Sequence, residues 1–192
     1  MESINTSLAE ALNKISKLSS VVIEELNQLT KASGVKKNTI LLDVGAVSRH
    51  LYFIQTGLAR VFYFHEAEDV TDYFAIDNQF IGGVESLFTG MPSKKGIHVL
   101  EDSIIYSILY ADLEELCRKY HEMERAGRML AIYAFLEGQQ RIESIRFHEA
   151  KERYKALGNK YPGILNRCPL KHIASYLGIT QVSLSRLRAG SV

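Results

Sequence analysis

The chain has 192 residues, 46% of them hydrophobic and 23% charged, and its 23 Lys and Arg against 22 Asp and Glu give a net charge of +1. That length holds one large domain or two small ones around a real core, while the apolar runs are too short for a membrane span and the N-terminus lacks the basic-then-apolar pattern of a signal peptide. Two cysteines, Cys117 and Cys168, stand far apart outside any paired motif, which excludes a four-cysteine zinc or iron–sulfur site within one chain and fits a reducing cytoplasm.

Residues 7–33 read as two helices. Leu8, Leu12, Ile15 and Leu18 form one stripe, Val22, Leu26 and Leu29 continue it after Ser19-Ser20, and Ser33-Gly34 closes the second helix. From 39 to 109 the rhythm changes to short β-rich runs at 39–44, 51–55, 58–64, 70–76, 79–81, 97–100 and 104–109. Turn residues such as Gly45, Gly57, Asp77-Asn78 and Pro92-Ser93 lie between them. This spacing predicts a jelly-roll barrel filled by aromatic side chains.

The barrel is interrupted at 80–95, where Gly82-Gly83 precede a short helical piece and Lys94-Lys95 return beside it. Backbone N–H groups at a helix start can hold an anion that a nearby ammonium neutralises. Gly82, Gly83, Val84, Glu85, Ser86, Ser93 and Lys94 are the candidate effector cradle. A plain connection between two strands would need nothing more than the same glycines.

Residues 111–147 read as helix throughout, with Asp112 as the cap. A first segment through Leu113, Leu116 and Tyr120 leads to a long one, whose stripe through Met123, Ala126, Leu130, Tyr133 and Leu136 turns polar at Gly138-Gln139-Gln140 and resumes at Ile142 and Ile145. A helix of roughly 25 residues is ~37 Å long, more than a small barrel needs for cover, so pairing with a second copy is expected. Next come a short basic helix at 149–157 closed by Gly158, a turn at Tyr161-Pro162-Gly163, and Pro169 opening a further helix at its first position.

The last stretch carries the chemistry. Ala174 has little bulk to keep a second helix away, Gly178 can take the left-handed conformation of a sharp turn, and Thr180 can cap a new helix. Leu184 and Leu187 fall on the inner face of that helix, against Ile173 and Leu177. Thr180, Gln181, Val182, Ser183, Ser185, Arg186 and Arg188 are left to read bases and phosphates. This is the pattern of a helix-turn-helix, and the charge agrees with it. Residues 1–110 carry 9 basic and 13 acidic side chains, whereas residues 150–192 carry eight basic ones against Glu152 alone. A basic module on a slightly acidic body is the electrostatic footprint of a nucleic-acid binder.

The expected fold is therefore α+β. N-terminal helices and an effector-sensing barrel occupy 1–110, a helical linker and dimerisation helix 111–147, and a helix-turn-helix DNA-binding domain 148–192. The short link from Gly158 to Pro169 and the residues after the second helix leave room for a reduced wing or none.

A glycine-bearing barrel, a long helix and a helix-turn-helix in that order resemble the Crp/Fnr family of bacterial transcription regulators. The resemblance spans essentially the whole chain. It rests most on Ile173-Ala174-Ser175-Tyr176-Leu177-Gly178-Ile179-Thr180 with Leu184-Ser185-Arg186, and on Phe80-Ile81-Gly82 with Glu85-Ser86, Pro92-Ser93 and Leu100-Glu101-Asp102. It implies a cytoplasmic homodimer that reads a palindromic double-stranded operator, a small-molecule effector of unknown identity in the barrel, and RNA polymerase as a further partner. The family's cyclic-nucleotide binders place a Glu where Gly83 stands and an Arg-Ser or Arg-Thr pair where Pro92-Ser93-Lys94 stands. Losing both removes several kcal/mol of polar contact, on the order of what charge-assisted hydrogen bonds contribute, so cyclic AMP is not expected. Haem is not expected either, because His50, His65, His98, His121, His148 and His172 form no ligand motif. Nucleotide-responsive members also place a Glu where Val182 stands. Arg186 matches the arginine that pairs with guanine, while Gln181 suits adenine and Val182 a thymine methyl. Lys151, Arg153 and Lys155 are expected to act through phosphates.

Two other readings compete with this one. A cupin-like metal enzyme would need two or three clustered histidines and a carboxylate, and His50, His65 and His98 lack that spacing; no catalytic residues or metal ligands are assigned. An effector-independent DNA-binding dimer, its barrel only a scaffold, fits the weakened cradle.

Overall fold

The computed structural model describes residues 6–189. Two helices open it, α1 (Leu8–Ile15) and α2 (Ser20–Leu29). Ser7 caps α1 in a reciprocal box with Glu10, whose carboxylate accepts from the Ser7 N–H at 2.7 Å. The helical pattern then ends earlier than the sequence reading had it. Lys31–Val35 is not helix but a strand, β1, whose only partner among the described residues is β8 (Ser103–Leu109). A β-branched, bulky partner strand outweighs the weak local preference of Lys-Ala-Ser-Gly-Val.

The seven other strands lie where the β-rich runs predict them. They are β2 (Ile40–Leu42), β3 (His50–Thr56), β4 (Ala59–His65), β5 (Glu68–Ala75), β6 (Gln79–Ile81), β7 (Gly96–Val99) and β8, with α3 (Val84–Thr89) between β6 and β7. With β1 they form two four-stranded antiparallel sheets, ordered β1-β8-β3-β6 and β2-β7-β4-β5. Ile54, Ala59, Val61, Ala75, Ile97, Val99 and Ile105 fill the roll between them, with Tyr52 and Tyr73 beside them. Alternate residues face outward. Thus Phe53 and Ile108 pack under α1, α2 and the helices that follow the roll.

The helical stretch expected over 111–147, a first segment leading into a long one, is broken into two separate helices. α4 (Tyr110–Lys119) ends at Tyr120, whose φ of −127° and ψ of 115° are extended, and α5 (His121–Phe147) starts beyond it. Tyr120 is held in the break by Glu25, which accepts from its hydroxyl at 2.8 Å and pairs with Lys119 at 2.6 Å. Asp112 is not a cap; it lies inside the first turn of α4, where a carboxylate favours the positive helix end. α5 runs unbroken through Gly138 for 27 residues. α6 (Ala150–Lys160) likewise runs through Gly158, and Glu149 caps it with a return contact from Glu152. The link to Pro169 holds a further short helix, α7 (Ile164–Arg167). Pro169 is the N-cap of α8 (Leu170–Leu177) rather than its first helical residue. α9 (Gln181–Arg188) follows, and among the described residues no strand lies beyond β8.

The C-terminal helices do not hang free of the roll. Leu58, Phe74, Ile76 and Leu100 share one core with Leu157, Tyr161, Ile164, Cys168, Ile173, Ala174, Tyr176, Leu177 and Leu184. No helix among the described residues is long and apolar enough to cross a membrane.

Candidate nucleic-acid interface and effector cradle

α8 and α9 meet through a turn whose geometry follows from three residues. Gly178 takes φ +65°, and an added Cβ there would meet nothing, so the glycine serves conformation rather than space. The Ile179 N–H returns to the Ala174 carbonyl at 3.1 Å and the Gly178 N–H to Ser175 at 3.1 Å, closing α8 in the manner of a Schellman turn. Thr180 then caps α9, its hydroxyl accepting from the Ser183 N–H at 3.1 Å. Leu184 is fully buried among Ile173 and Leu177. Leu187, expected beside it, is only half-buried and outside that cluster.

The other face of α9 is open. Thr180, Gln181, Val182, Ser183, Ser185, Arg186 and Arg188 are all exposed, Val182 to 62%. Ser183 also shares a hydrogen bond with the Thr180 hydroxyl at 3.0 Å, so its side chain belongs to the cap as much as to the exposed face.

The basic half of the chain is less available than its charge suggests. Arg153, expected to meet phosphate, instead donates through Nε (3.2 Å) and Nη2 (2.9 Å) to the Leu177 carbonyl and through Nη1 to His148 at 2.6 Å. Arg167 turns inward to the roll. It donates to Asp77 at 2.6 Å, Glu101 at 2.5 Å and the Gly57 carbonyl at 2.7 Å. Those carboxylates raise its pKa through hydrogen bonding to Glu101 first, against the cost of burial, with Asp77 adding to the rise. Lys160 pairs with Glu137 at 3.1 Å. Lys155, Lys171, Arg186 and Arg188 remain exposed.

A polar cluster lies where α8 covers β5. Arg60, 2% exposed, forks onto Asp69 with Thr71 and His98 alongside, and the His98 and His172 rings meet edge to face at 6.2 Å. Burial pushes the His172 imidazole down to about 4, and the Arg60 charge adds to it. Burial opposes ionisation of Asp69, but hydrogen bonds and charge from Arg60 outweigh it and leave that carboxyl below its ordinary range. Cys168 is buried and its thiol is pushed up to about 12 by that burial, which leaves it a packing residue.

The expected cradle is assembled differently from an open anion site. Gly82 and Gly83 are buried, and a Cβ on Gly83 would lie 2.6 Å from Leu42 Cδ2 and 3.0 Å from Ser48 Cβ. The Ser86 hydroxyl accepts from the Ser48 N–H at 2.9 Å and donates to the Met91 carbonyl at 2.5 Å. The Ser93 hydroxyl exchanges two bonds with the Lys95 backbone, at 2.8 and 3.1 Å. Val84, Glu85 and Lys94 face outward, and it is Lys95, not Lys94, that is engaged, with Asp72 at 2.7 Å. Tyr73 of β5 donates its hydroxyl to the Gly82 carbonyl at 3.0 Å. The acid and the forked arginine that a cyclic nucleotide would call on are absent, and both serine hydroxyls are already engaged. Among the described residues no group of three or more His, Cys, Asp or Glu is placed to hold a metal ion.

The architecture is thus a β-roll with a glycine-bearing insertion, followed by a long helix and a capped helical pair, α8 and α9, packed on the roll. Residues 34–120 match the family described as "Cyclic nucleotide-binding domain". Among solved structures, FixK2 from Bradyrhizobium japonicum superposes with a TM-score of 0.72 at 14% identity, covering 84% of this chain and 83% of that one. A regulator of the crp/fnr family from Eubacterium rectale gives 0.70 at 16% identity over 88% and 82%. The c-di-GMP responsive global regulator CLP of Xanthomonas campestris gives 0.69 at 12% identity over 90% and 91%. No curated protein matches the sequence. Residues 34–120 are thus similar to cyclic nucleotide-binding domains, and the chain has the fold seen in those Crp/Fnr-type structures.

Proposed function

We propose that this protein is a dimeric, DNA-binding transcription regulator of the Crp/Fnr type, with α9 as its recognition helix. The observation that carries the reading is the contrast within α9. Its inner Leu184 is fully buried and its first turn is capped, while Gln181, Val182, Ser185, Arg186 and Arg188 stand exposed on a rigid support. Such a helix can enter a major groove about 12 Å wide and meet base edges with side chains already placed. Two copies are required to read a palindrome. Ile132, Phe135, Leu136, Ile142 and Ile145 on α5 are exposed by 39–63%, which supports pairing through that helix.

The roll is assigned the sensing of a small anionic effector, by analogy with the domain it contains. A second reading, a roll that serves only as scaffold, is favoured by the closed cradle and the bond from Tyr73 to Gly82. Both readings leave cyclic AMP without its polar partners.

Selection of bound fragments from genomic DNA, followed by fluorescence anisotropy at about 0.15 M salt, where surface charge is well screened, tests the assignment. The expected result is a two-fold symmetric site bound at least a thousandfold more tightly than random DNA, on the order of known specificity ratios. Binding that prefers no fragment over random polymer overturns it. Binding that is unchanged by cell metabolites selects the scaffold reading over the sensor.

A further inference from the structure

We propose that Arg141 and Arg153 are positioning residues that lock the exit of α8, and with it the turn into α9, to the dimerisation helix and the elbow behind it. The last four carbonyls of a helix have no partner within it and form the negative end of its dipole. In α8 every one of the four is accounted for. Ala174 and Ser175 accept from the turn itself, through the N–H groups of Ile179 and Gly178. Tyr176 accepts from Arg141 Nη2 and Leu177 from Arg153, each reaching over from an earlier helix.

The two arginines differ in what they tie down. Arg141 sits on α5, and its guanidinium also lies over the Tyr176 ring, 3.8 Å from the centroid. Tyr176 in turn packs against Phe74 of β5 at 5.3 Å, so the contact is anchored on both sides. Arg153 spans the elbow. Its third donor, Nη1, holds the carbonyl of His148, the extended residue that ends α5. With Nε, Nη1 and Nη2 each engaged on a carbonyl, the Arg153 guanidinium is held against the ends of α5 and α8. The planar guanidinium suits this task because it can serve two acceptors at fixed angles, which an ammonium cannot.

The inference rests on the assignment of α9 as a DNA reader and adds how it is aimed. A dimer reads two half-sites one helical turn apart only if each head keeps a fixed angle to the dimer axis. Arg141 supplies that angle from α5, and Arg153 stiffens the only non-helical step between α5 and α6, at His148 and Glu149.

The test uses the full-length protein and its Arg141→Ala, Arg153→Ala and Arg153→Lys variants on operators whose half-sites are separated by the native spacing, or by one base pair more or less. Each alanine variant is expected to lose about tenfold on the native spacing and little on the altered ones, so that spacing preference relaxes, while the salt slope stays that of the wild type. Arg153→Lys is expected to recover only part of the preference. A slope shallower by about 0.9, the value of one lost phosphate contact, overturns the inference, and so does an equal loss at every spacing. Amide hydrogen exchange of the DNA-free protein separates this from a failure of the DNA-reading assignment. Faster exchange at 178–183 with β3 and β8 unchanged is expected in both alanine variants. Unchanged exchange there overturns the inference even if the wild type binds no operator.

Discussion

The backbone N–H of Thr71 donates to Ser175 Oγ at 2.8 Å, and that hydroxyl donates onward to the Asp69 carbonyl at 3.3 Å. β5 is the outer strand of its sheet, so its free edge would otherwise present unpaired N–H and C=O groups to solvent. Ser175 of α8 meets them instead. Strand β5 therefore serves two sites at once. Tyr73 points into the roll and reaches the Gly82 carbonyl, while its neighbour Phe74 packs on Tyr161 and Tyr176 of the head.

Shared packing of this kind makes the charged clamp at Arg167 a stability element. Its side chain is 25% exposed, with Asp77 and Glu101 at 39% and 30%. Arg167→Ala leaves two carboxylates facing each other and the Gly57 carbonyl unmet, a loss of about 2 kcal/mol once solvent screening is allowed for. Urea unfolding should show this as a lower midpoint. Arg167→Lys should recover less than half of it, since one ammonium cannot fork onto three acceptors. A midpoint unchanged by the alanine variant would mean that the apolar core alone holds the head.

Acid should undo the same interface. His172 is 3% exposed, and its imidazole is held near 4 by burial, with Arg60, Lys171 and His98 opposing protonation and Asp69 favouring it. His98 is lowered as well, by burial first and then by Arg60. An unfolded histidine takes its proton near pH 6.5, so the unfolded chain gains protons first as pH falls. Stability contributed by neutral His172 is thus fully present above about 6.5 and is lost progressively toward about 4, by roughly 3 kcal/mol in total. Unfolding measured between pH 7 and 4.5 should follow that slope, and His172→Gln should flatten it.

Particular residues explain how far the sequence could be read. The turn of Gly178 and Thr180 and the alternation of the roll strands were legible because backbone conformation and burial leave direct marks on residue choice. β1 was hidden because its pairing with β8 lies about 70 positions away in sequence, and such distant pairing leaves no local pattern. The break at Tyr120 rests on Glu25, equally remote. Arg153 and Arg167 read as surface charge because nothing local distinguishes a guanidinium facing phosphate from one facing a carbonyl. The serines of the expected cradle bind backbone through their hydroxyls, which only the fold reveals.

That closure predicts the outcome of restoring the missing acid. Gly83→Glu places a Cβ against Leu42, itself 6% exposed, and against Ser48. The expected cost is about 1–3 kcal/mol of overpacking. Titration calorimetry should still detect no cyclic AMP binding, because the Ser93 hydroxyl and Gly82 carbonyl keep their internal partners. A variant that binds the nucleotide in the micromolar range would show the cradle to be far more pliable than its contacts imply.

On the reading face, Arg186→Ala should cost ~1–3 kcal/mol of operator affinity and relax preference at one base pair in each half-site. Lys155→Ala should weaken all sequences alike and make the salt dependence shallower by about 0.9. Binding measured on single-base operator variants tells these apart. An Arg186 variant that loses affinity uniformly would mark that side chain as a phosphate contact.

The seam of α5 can be tested without touching the head. Phe135 is 63% exposed and Leu136 48%, one turn from Ile132 and on the way to Ile142, and none of them belongs to the buried clusters. Covering Phe135 in a partner seam contributes about 2–3 kcal/mol per chain, and a carboxylate there adds like-charge repulsion across the two-fold axis. Phe135→Glu should therefore convert a dimer to a monomer in sedimentation at micromolar concentration. Operator affinity should then fall toward that of one half-site, while the Leu184 cluster and its thermal transition stay intact. Phe64→Glu is the matched control, since Phe64 is equally bare at 60% but sits at the end of the β4–β5 hairpin. Loss of the dimer with Phe64→Glu and not with Phe135→Glu would move the two-fold axis to the roll, and the spacing of the two reading helices would have to follow from there.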